Sequence, residues 1–234
     1  MISGIIFDKD GTLFDFNATW GAWTRAMLIS EAGADPILCE RLAAVLGYDM
    51  ENARFFPGSI VIASTVDEVA DAIMDVVPAT DKTALLARMN AGSAQVDQVE
   101  AVPLRPYIAG LRQSNLTLGV VTNDAEGPAL RHLDEAGIRA DFAFIAGYDS
   151  GYGAKPGPGQ LHGFCRVTGL MPDACVMVGD STHDLHAGRA AGMMTVGVLT
   201  GPAPREELDG LADVVLRDIS EIPGWLRRER LIAS

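Results

Sequence analysis

Short apolar runs alternate with segments of helical periodicity along most of the chain. The first run, residues 2–7, predicts a short buried strand. Later apolar runs predict further strands at 116–121, 142–146, 174–178, 194–198 and 213–216. Helical spacing predicts helices between and after them, at 107–114, 127–136, 158–168, 184–191 and 219–231. This alternation predicts an α/β fold built on a parallel sheet.

Residues 16–101 depart from this alternation and have helical character throughout. Trp20, Trp23, Met27 and Leu28 recur at helical spacing, and Thr65 with Glu68 forms a capping-box pattern. Helices are predicted after the first of these segments at 37–46, 66–77 and 80–89. We therefore expect two domains, an α/β core of residues 1–15 and 102–234 and an inserted all-helical domain of residues 16–101. Residues 100–106 are expected to form the linker that returns to the core.

The first predicted strand ends in two carboxylates, Asp8 and Asp10, followed by Gly11. Ligands of open α/β sheets bind at the carboxyl ends of the strands, so both side chains are expected in that crevice. Two like charges about 4 Å apart cost on the order of 4 kcal/mol at an effective dielectric near 20. The pair therefore needs a cation or a shared proton, and Mg²⁺ is favoured because it takes oxygen ligands. An ordinary turn is the alternative explanation of the same residues.

Polar residues also follow the other predicted strands. The run at 116–121 ends in Thr122 and Asn123, and Lys155 stands just before a predicted helix. The run at 174–178 is followed by Asp180 and Asp184. Singly, these residues could be a strand end, a surface lysine and helix N-caps. As an ordered set they predict one site.

In that order the four stretches resemble the signature motifs of the haloacid dehalogenase-like superfamily of aspartate-nucleophile phosphohydrolases. The resemblance covers Asp8 to Asp184 and implies a Rossmann-like core with an inserted helical cap of the C1 type. It also implies Mg²⁺ as cofactor and a phosphatase similar to phosphoglycolate phosphatases. The expected substrate is a small phosphorylated metabolite, either phosphoglycolate-like or a sugar phosphate.

The resemblance also implies a role for each site residue. Asp8 would attack phosphorus and form an aspartyl-phosphate, and Asp10 would act as general acid and base. Thr122, Asn123 and Lys155 would hold the phosphoryl oxygens. The implied metal ligands are Asp8, Asp10 through its backbone carbonyl, Asp180 and Asp184, with Asp180 ranked above Asp184.

Two alternative functions share this residue pattern. A sugar phosphomutase of the same fold uses the same core residues and returns the phosphoryl group to a sugar. A phospho-accepting receiver module of signalling proteins also combines acidic strand ends with a threonine and a lysine. The insertion and the Asp8 to Asp10 spacing on the first strand favour an enzyme over a receiver.

Some positions are left open by the sequence. Lys9 departs from the pattern of capped relatives, which generally have an apolar residue there, and it either turns into solvent or adds positive charge near the substrate. Candidate substrate contacts in the insertion are Trp20, Trp23, Arg25, Arg54, Phe55 and Phe56, although aromatic residues at helical spacing are more often core. His183 and His186 are interpreted as the polar side of a helix rather than as metal ligands.

Composition narrows the class of partner. The chain has 234 residues, 48% of them hydrophobic and 21% charged, which is typical of a globular protein. A net charge of −13 argues against nucleic acid and anionic membranes as partners. The three cysteines have no metal-ligand spacing. No basic segment precedes the first strand, so a cytoplasmic location is expected, as a monomer or homodimer.

Overall fold

A parallel sheet of six strands forms the centre of the computed structural model, which describes residues 1–62, 64–77, 81–93 and 95–232. In chain order the strands are β1 (Gly4–Phe7), β2 (Tyr48–Asp49), β3 (Arg54–Phe55), β4 (Thr117–Val121), β5 (Phe144–Ala146), β6 (Cys175–Gly179), β7 (Met194–Val198) and β8 (Val214–Leu216). Strands β2 and β3 lie outside this sheet. The order of the other six is β5-β4-β1-β6-β7-β8, and every neighbouring pair among them is parallel. This confirms the predicted α/β, Rossmann-like core.

Helices connect these strands along the described chain. They are α1 (Phe16–Ala32), α2 (Pro36–Leu46), α3 (Val66–Val76), α4 (Lys82–Ser93), α5 (Leu104–Gln113), α6 (Glu126–Glu135), α7 (Gly159–Thr168), α8 (Thr182–Ala191), α9 (Arg205–Leu208) and α10 (Ile222–Arg228). The predicted capping box at the start of α3 is present, since the Thr65 side chain accepts from the Glu68 backbone N–H and the Glu68 side chain accepts from that of Thr65. The short helix α9 was not predicted.

Some predicted boundaries differ from the observed ones. The return linker is shorter than predicted because α5 already begins at Leu104. Helix α4 continues to Ser93, beyond the predicted end, while its predicted start, Thr80, lies outside the described residues. The C-terminal helix is preceded by a 3₁₀ turn, Ile219–Glu221.

The prediction that residues 16–101, hereafter the insertion, are all-helical is wrong in one place. Strands β2 and β3 form a small antiparallel hairpin in which Tyr48 pairs with Phe55. Their rings meet edge to face at 5.1 Å, and the Asp49 carboxylate accepts hydrogen bonds from the backbone of the connecting turn. Strands of two residues are too short to produce a readable alternation, so sequence periodicity missed them.

The central strands bury both faces, which explains why their sequences are continuously apolar. Ile5 and Phe7 of β1 belong to the hydrophobic cluster on one face, whereas Ile6 packs in the cluster on the other. Because side chains on both faces of β1 are buried among apolar residues, the polar residue Asp8 follows only where the strand ends. Apolar side chains therefore pack on the faces of the sheet, and polar side chains lie at the ends of its strands.

The insertion lies between β1 and β4 in the chain and has a hydrophobic cluster of its own, which includes Phe16, Leu28, Leu42, Ile73 and Leu85. A separate cluster is what an independent domain requires. The division into residues 1–15 with 102–234 and 16–101 stays a prediction. In the part of the chain that the structure describes, no helix combines the length and the apolar character needed to span a membrane.

Phe164 of α7 packs against the sheet where two strands have glycine. A Cβ added at Gly119 would lie 2.6 Å from the Phe164 ring, and one added at Gly4 would lie 3.1 Å from it. The ring is fully buried, so its removal would leave a cavity under α7.

We therefore expect Phe164→Ala to lower the free energy of unfolding by about 3–5 kcal/mol. Val167→Ala is the matched control, because Val167 lies on the same helix and is 60% exposed. The control should change stability by less than about 0.5 kcal/mol. Urea denaturation of both variants measures the difference, and equal effects would contradict the packing described here.

Candidate active site

The polar residues predicted from the strand ends meet at one edge of the sheet. Asp8 follows β1, Thr122 follows β4 and Asp180 follows β6, and β1 lies between the other two strands. Numbered by themselves, the strands of the sheet have the order 3-2-1-4-5-6, which reverses direction at β1. A reversal of this kind opens a crevice at the carboxyl ends of the strands; Asp8 and Thr122 line it, and Asp180 lies in a buried cluster with Asp8.

The Lys155 ammonium occupies the centre of the crevice. Its Nζ lies 2.6 Å from Asp8 Oδ1 and 2.6 Å from Asp184 Oδ1, and all three side chains are buried. Burial lowers the pKa of Lys155, but the Asp184 and Asp8 carboxylates outweigh it and hold the pKa above its ordinary value. Lys155 is therefore a fixed positive charge beside Asp8.

Asn123 orients the backbone of Lys155. The Asn123 side-chain amide donates to the Lys155 carbonyl at 2.9 Å, and its carbonyl oxygen accepts from the Lys155 backbone N–H at 2.9 Å. The Lys155 ammonium also donates to the Val121 carbonyl at 3.2 Å. The sequence predicted Asn123 as a phosphate contact, and the structure adds this contact with the lysine segment.

Asp8, Asp180 and Asp184 form a buried acidic cluster in which one oxygen of each lies within 4.8 Å of the others. Burial raises the pKa of Asp8 to about 7, an effect that Lys155 opposes and Asp184 increases. Burial, and then the charge of Asp8, raises the pKa of Asp180 well above its ordinary value. Three carboxylates therefore lie around one ammonium, and in their fully deprotonated form their negative charge exceeds what Lys155 balances.

This cluster fits a divalent cation. Asp180 Oδ2 is buried and has no hydrogen-bond partner among the described residues. The backbone at Gly11 and Gly201 lies so close to the Asp180 carboxylate that a Cβ on either glycine would overlap it. Carboxylate oxygens are the donors that Mg²⁺ prefers. Asp184 is more fully engaged, since Oδ1 accepts from Lys155 and Oδ2 accepts from Ser181 at 2.6 Å.

Two side chains outside the acidic cluster hold the Asp10 carboxylate. Its Oδ1 accepts from the indole N–H of Trp20 at 2.7 Å, and its Oδ2 lies 2.6 Å from the Lys9 ammonium. Trp20 belongs to α1, so a residue of the insertion helps to orient a carboxylate of the core. The backbone carbonyl remains the part of Asp10 predicted to reach a metal.

Lys9, which the sequence left open, is fully buried and does not turn into solvent. Besides Asp10, its ammonium lies 3.4 Å from Asp124 and 5.4 Å from the centre of the Trp20 ring. Burial lowers the pKa of Lys9, but Asp10 and Asp124 raise it above its ordinary value. The Lys9 ammonium therefore balances the charge of two carboxylates, Asp10 and Asp124.

His132 contacts the buried Lys9 ammonium as a neutral side chain. Its Nε2 lies 3.0 Å from the Ser93 carbonyl, which can only accept, so Nε2 carries the proton. Nδ1 is then the acceptor for the Lys9 ammonium at 3.2 Å. Burial and the charge of Lys9 lower the pKa of His132 to about 4, so the ring is neutral. Sequence reasoning missed His132, which lies in the last turn of α6 and belongs to none of the predicted motifs.

The crevice continues into the insertion as a pocket. Trp20 and Trp23, two of the candidate substrate contacts, line it, as do Thr122, Asn123 and His183. The other candidate contacts do not line it among the described residues, and these are Arg25, Arg54, Phe55 and Phe56. Phe55 is buried inside the insertion, and Phe56 is exposed.

Comparison with known proteins gives consistent similarities. Residues 5–198 match the model of a family described as haloacid dehalogenase-like hydrolase. The chain is 29% identical to the phosphoglycolate phosphatase of Chromobacterium violaceum over 225 residues, 94% of this chain and 95% of that protein.

Solved structures share the fold. One is described as "a predicted phosphoglycolate phosphatase" from Haemophilus somnus, with a TM-score of 0.74 and 20% identity, covering 96% of this chain and 97% of that one. Another is the β-phosphoglucomutase of Clostridium difficile, with a TM-score of 0.68 and 19% identity, covering 99% and 97% of the two chains.

Lys9→Met tests the buried charge group. The substitution leaves the Asp10 and Asp124 carboxylates without their cation, so we expect a loss of about 3 kcal/mol or more in the free energy of unfolding. Lys82→Met is the matched control, because Lys82 also bridges two aspartates, Asp67 and Asp71, but at the surface. There the loss should be much smaller, because solvent screens the exposed charges. Similar losses in urea denaturation would refute the difference.

The pKa of Asp8 predicts a pH-dependent effect of metal on stability. Between its ordinary value of 3.8 and about 7, the metal-free folded protein holds a proton that the unfolded chain has lost, so this group makes folding less favourable as pH rises. A bound cation requires the deprotonated form. The increase in Tm caused by Mg²⁺ over chelator should therefore grow from about pH 5 to about pH 8.

Asp180→Asn should remove most of this Mg²⁺-dependent increase in Tm. Asp209→Asn is the control at an exposed position and should keep it. A Tm increase that does not vary with pH in the unsubstituted protein would contradict the assignment.

Proposed function

Because the chain belongs to the haloacid dehalogenase-like hydrolase family, we propose that it is a Mg²⁺-dependent phosphatase that hydrolyses a small phosphate monoester through an aspartyl-phosphate on Asp8. Membership of the family confirms the resemblance found in the sequence. The observation that carries the proposal is the buried contact of Asp8 with Lys155 beside the acidic cluster. It combines a nucleophile with the positive charge that a phosphoryl group requires.

In the proposed first step, an Asp8 oxygen attacks phosphorus and the bond from phosphorus to the leaving oxygen breaks. Asp10 gives its proton to that oxygen. Lys155 and Thr122 hold the phosphoryl oxygens, and Asn123 keeps Lys155 in place through the reciprocal hydrogen bonds. Separating nucleophile and acid in this way lets each carboxylate perform one task.

In the proposed second step, Asp10 takes a proton from water while the water oxygen attacks phosphorus. The bond between Asp8 and phosphorus breaks, and inorganic phosphate leaves. Asp10 is held at both oxygens, by Trp20 and by Lys9, so its carboxylate keeps one orientation through both steps.

Asp8, Asp180 and the Asp10 carbonyl would hold Mg²⁺, with Asp184 as a supporting acid. When bound, Mg²⁺ supplies charge neutralisation for the phosphoryl group and for the acidic cluster. The unpartnered Asp180 oxygen supports Asp180 as the stronger ligand of the pair.

The insertion is proposed to act as a cap over the site, with residues 1–15 and 102–234 as the catalytic core. The pocket that joins the acidic cluster to the insertion supports this division. Family membership favours hydrolysis over the receiver alternative. Product analysis separates hydrolysis from the mutase alternative. The cytoplasmic location and the choice between monomer and homodimer stay predictions.

Substitution of the two aspartates separates their roles. Asp8→Asn should lower phosphoryl transfer by about 10³-fold or more with every substrate, since no nucleophile remains. Asp10→Asn should still complete the first step with p-nitrophenyl phosphate, whose leaving group needs little protonation. The second step then stalls without a base, so p-nitrophenolate should appear as a burst of about one equivalent.

Rapid mixing with p-nitrophenyl phosphate and with an alkyl phosphate is the measurement. An alkyl leaving group needs the proton, so Asp10→Asn should show no burst with it. A burst from Asp8→Asn, or a labelled phosphoryl group recovered on another residue, would overturn the proposal.

A further inference from the structure

The pocket has two chemically different ends. At the sheet it is polar and acidic, with Asp8, Asp10, Asp124 and Asp184 in its wall. At the insertion its wall is mainly apolar, formed by partly buried side chains that include Trp23, Met27, Val61, Ile62 and Val66. A phosphoryl group placed at Asp8 therefore directs its leaving group toward the apolar end.

The cations near the acidic end are already engaged. Among the described lining residues, Lys155 is the only lysine or arginine. Its ammonium bridges Asp8 and Asp184. Lys9 lies behind the wall, fully buried, where its ammonium serves Asp10 and Asp124. Neither offers an ammonium to a charged leaving group.

The cations of the insertion lie elsewhere. Its lysines and arginines are Arg25, Arg41, Arg54, Lys82 and Arg88. Lys82 and Arg88 form surface ion pairs with Asp67 and Glu31, and Arg25 and Arg41 are exposed. Within the described part of the chain, none of these side chains lines the pocket. Among the described lining residues, the polar groups that the insertion contributes are the hydroxyls of Thr24, Ser64 and Ser93 and the indole N–H groups of Trp20 and Trp23.

Among the described lining residues, a carboxylate on the leaving group would meet an apolar wall and several aspartates, with no lysine or arginine besides Lys155 and with His183 as the one imidazole. Burying a charge in such surroundings is strongly unfavourable, whereas an apolar group gains from leaving water. We infer that the substrate is a phosphate monoester with an uncharged, largely apolar leaving group, such as an arylalkyl alcohol, and not a phosphorylated hydroxy acid. This inference rests on the proposed function and names its substrate class.

The size of the pocket limits the leaving group. Its volume is about 120 Å³ and includes the acidic end as well as the apolar end. Apolar cavities of about 150 Å³ bind benzene, so the leaving group is no larger than one aromatic ring. A sugar would bring several hydroxyls to a wall with few hydrogen-bond partners, which costs free energy for each unpaired group.

The test compares substrates that share a primary alkoxide leaving oxygen. With Mg²⁺ present, kcat/KM for 2-phenylethyl phosphate should exceed that for ethyl phosphate by about tenfold or more, because the ring is buried. Phosphoglycolate should not exceed ethyl phosphate. The inference is overturned when phosphoglycolate, or a sugar phosphate, has a higher kcat/KM than 2-phenylethyl phosphate.

A substitution in the wall provides the converse test. Met27→Arg places a guanidinium at the apolar end, so the ratio of kcat/KM for phosphoglycolate to that for 2-phenylethyl phosphate should rise by about tenfold or more. Ile29→Arg is the matched control on the same helix, since Ile29 is 50% exposed and does not line the pocket. An unchanged ratio in a Met27→Arg variant that still hydrolyses p-nitrophenyl phosphate counts against the inference.

Binding separates failure of this inference from failure of the proposed function. Calorimetry with Mg²⁺ should show benzylphosphonate binding more tightly than phosphonoacetate, whether or not any ester is hydrolysed. Tighter binding of benzylphosphonate without hydrolysis of any ester would reject the phosphatase proposal and support the apolar pocket. Tighter binding of phosphonoacetate would reject the inference alone, provided that phosphate esters are hydrolysed.

Discussion

The buried contact of one ammonium with two carboxylates is the constraint on which the site depends. Lys155 joins Asp8 at the end of β1 to Asp184 in α8, at 2.6 Å on each side. Removing one partner of such a group leaves an uncompensated buried charge, which typically costs about 3–5 kcal/mol. This three-residue contact therefore fixes three segments that are distant in sequence. Asp180 Oδ2 has no hydrogen-bond partner among the described residues, so it is available to a cation.

A second buried ammonium connects the core to the insertion. Lys9 reaches Asp10 and His132, and His132 in turn reaches the Ser93 carbonyl at the end of α4. Trp20 from α1 donates to the other oxygen of Asp10. The orientation of this carboxylate is thus set jointly by the sheet and by two helices of the insertion. A movement of the insertion would therefore change the surroundings of Asp10 directly, through Trp20.

The two parts of the pocket have different physical tasks. The sheet contributes fixed charges, which suit a phosphoryl group of any ester. The insertion contributes apolar side chains such as Met27 and Val66, which distinguish leaving groups by burial. Family membership therefore describes the chemistry, whereas under the proposed function the substrate would depend on side chains of the insertion. The names of the relatives therefore do not identify the leaving group of this chain's substrate.

The sequence by itself determined most strands and helices and predicted that Asp8, Thr122, Lys155 and Asp180 lie together at one edge of the sheet. It could do so because hydrophobic period, caps and strand ends are local properties, and parallel strands bring their carboxyl ends together. Only the tertiary structure decided the place of Lys9. Its partner His132 lies 123 positions away, so no local pattern predicts that the ammonium is buried. The apolar pocket wall was undetermined for the same reason, because periodicity marks a side chain as apolar but not whether it packs in a core or faces a cavity.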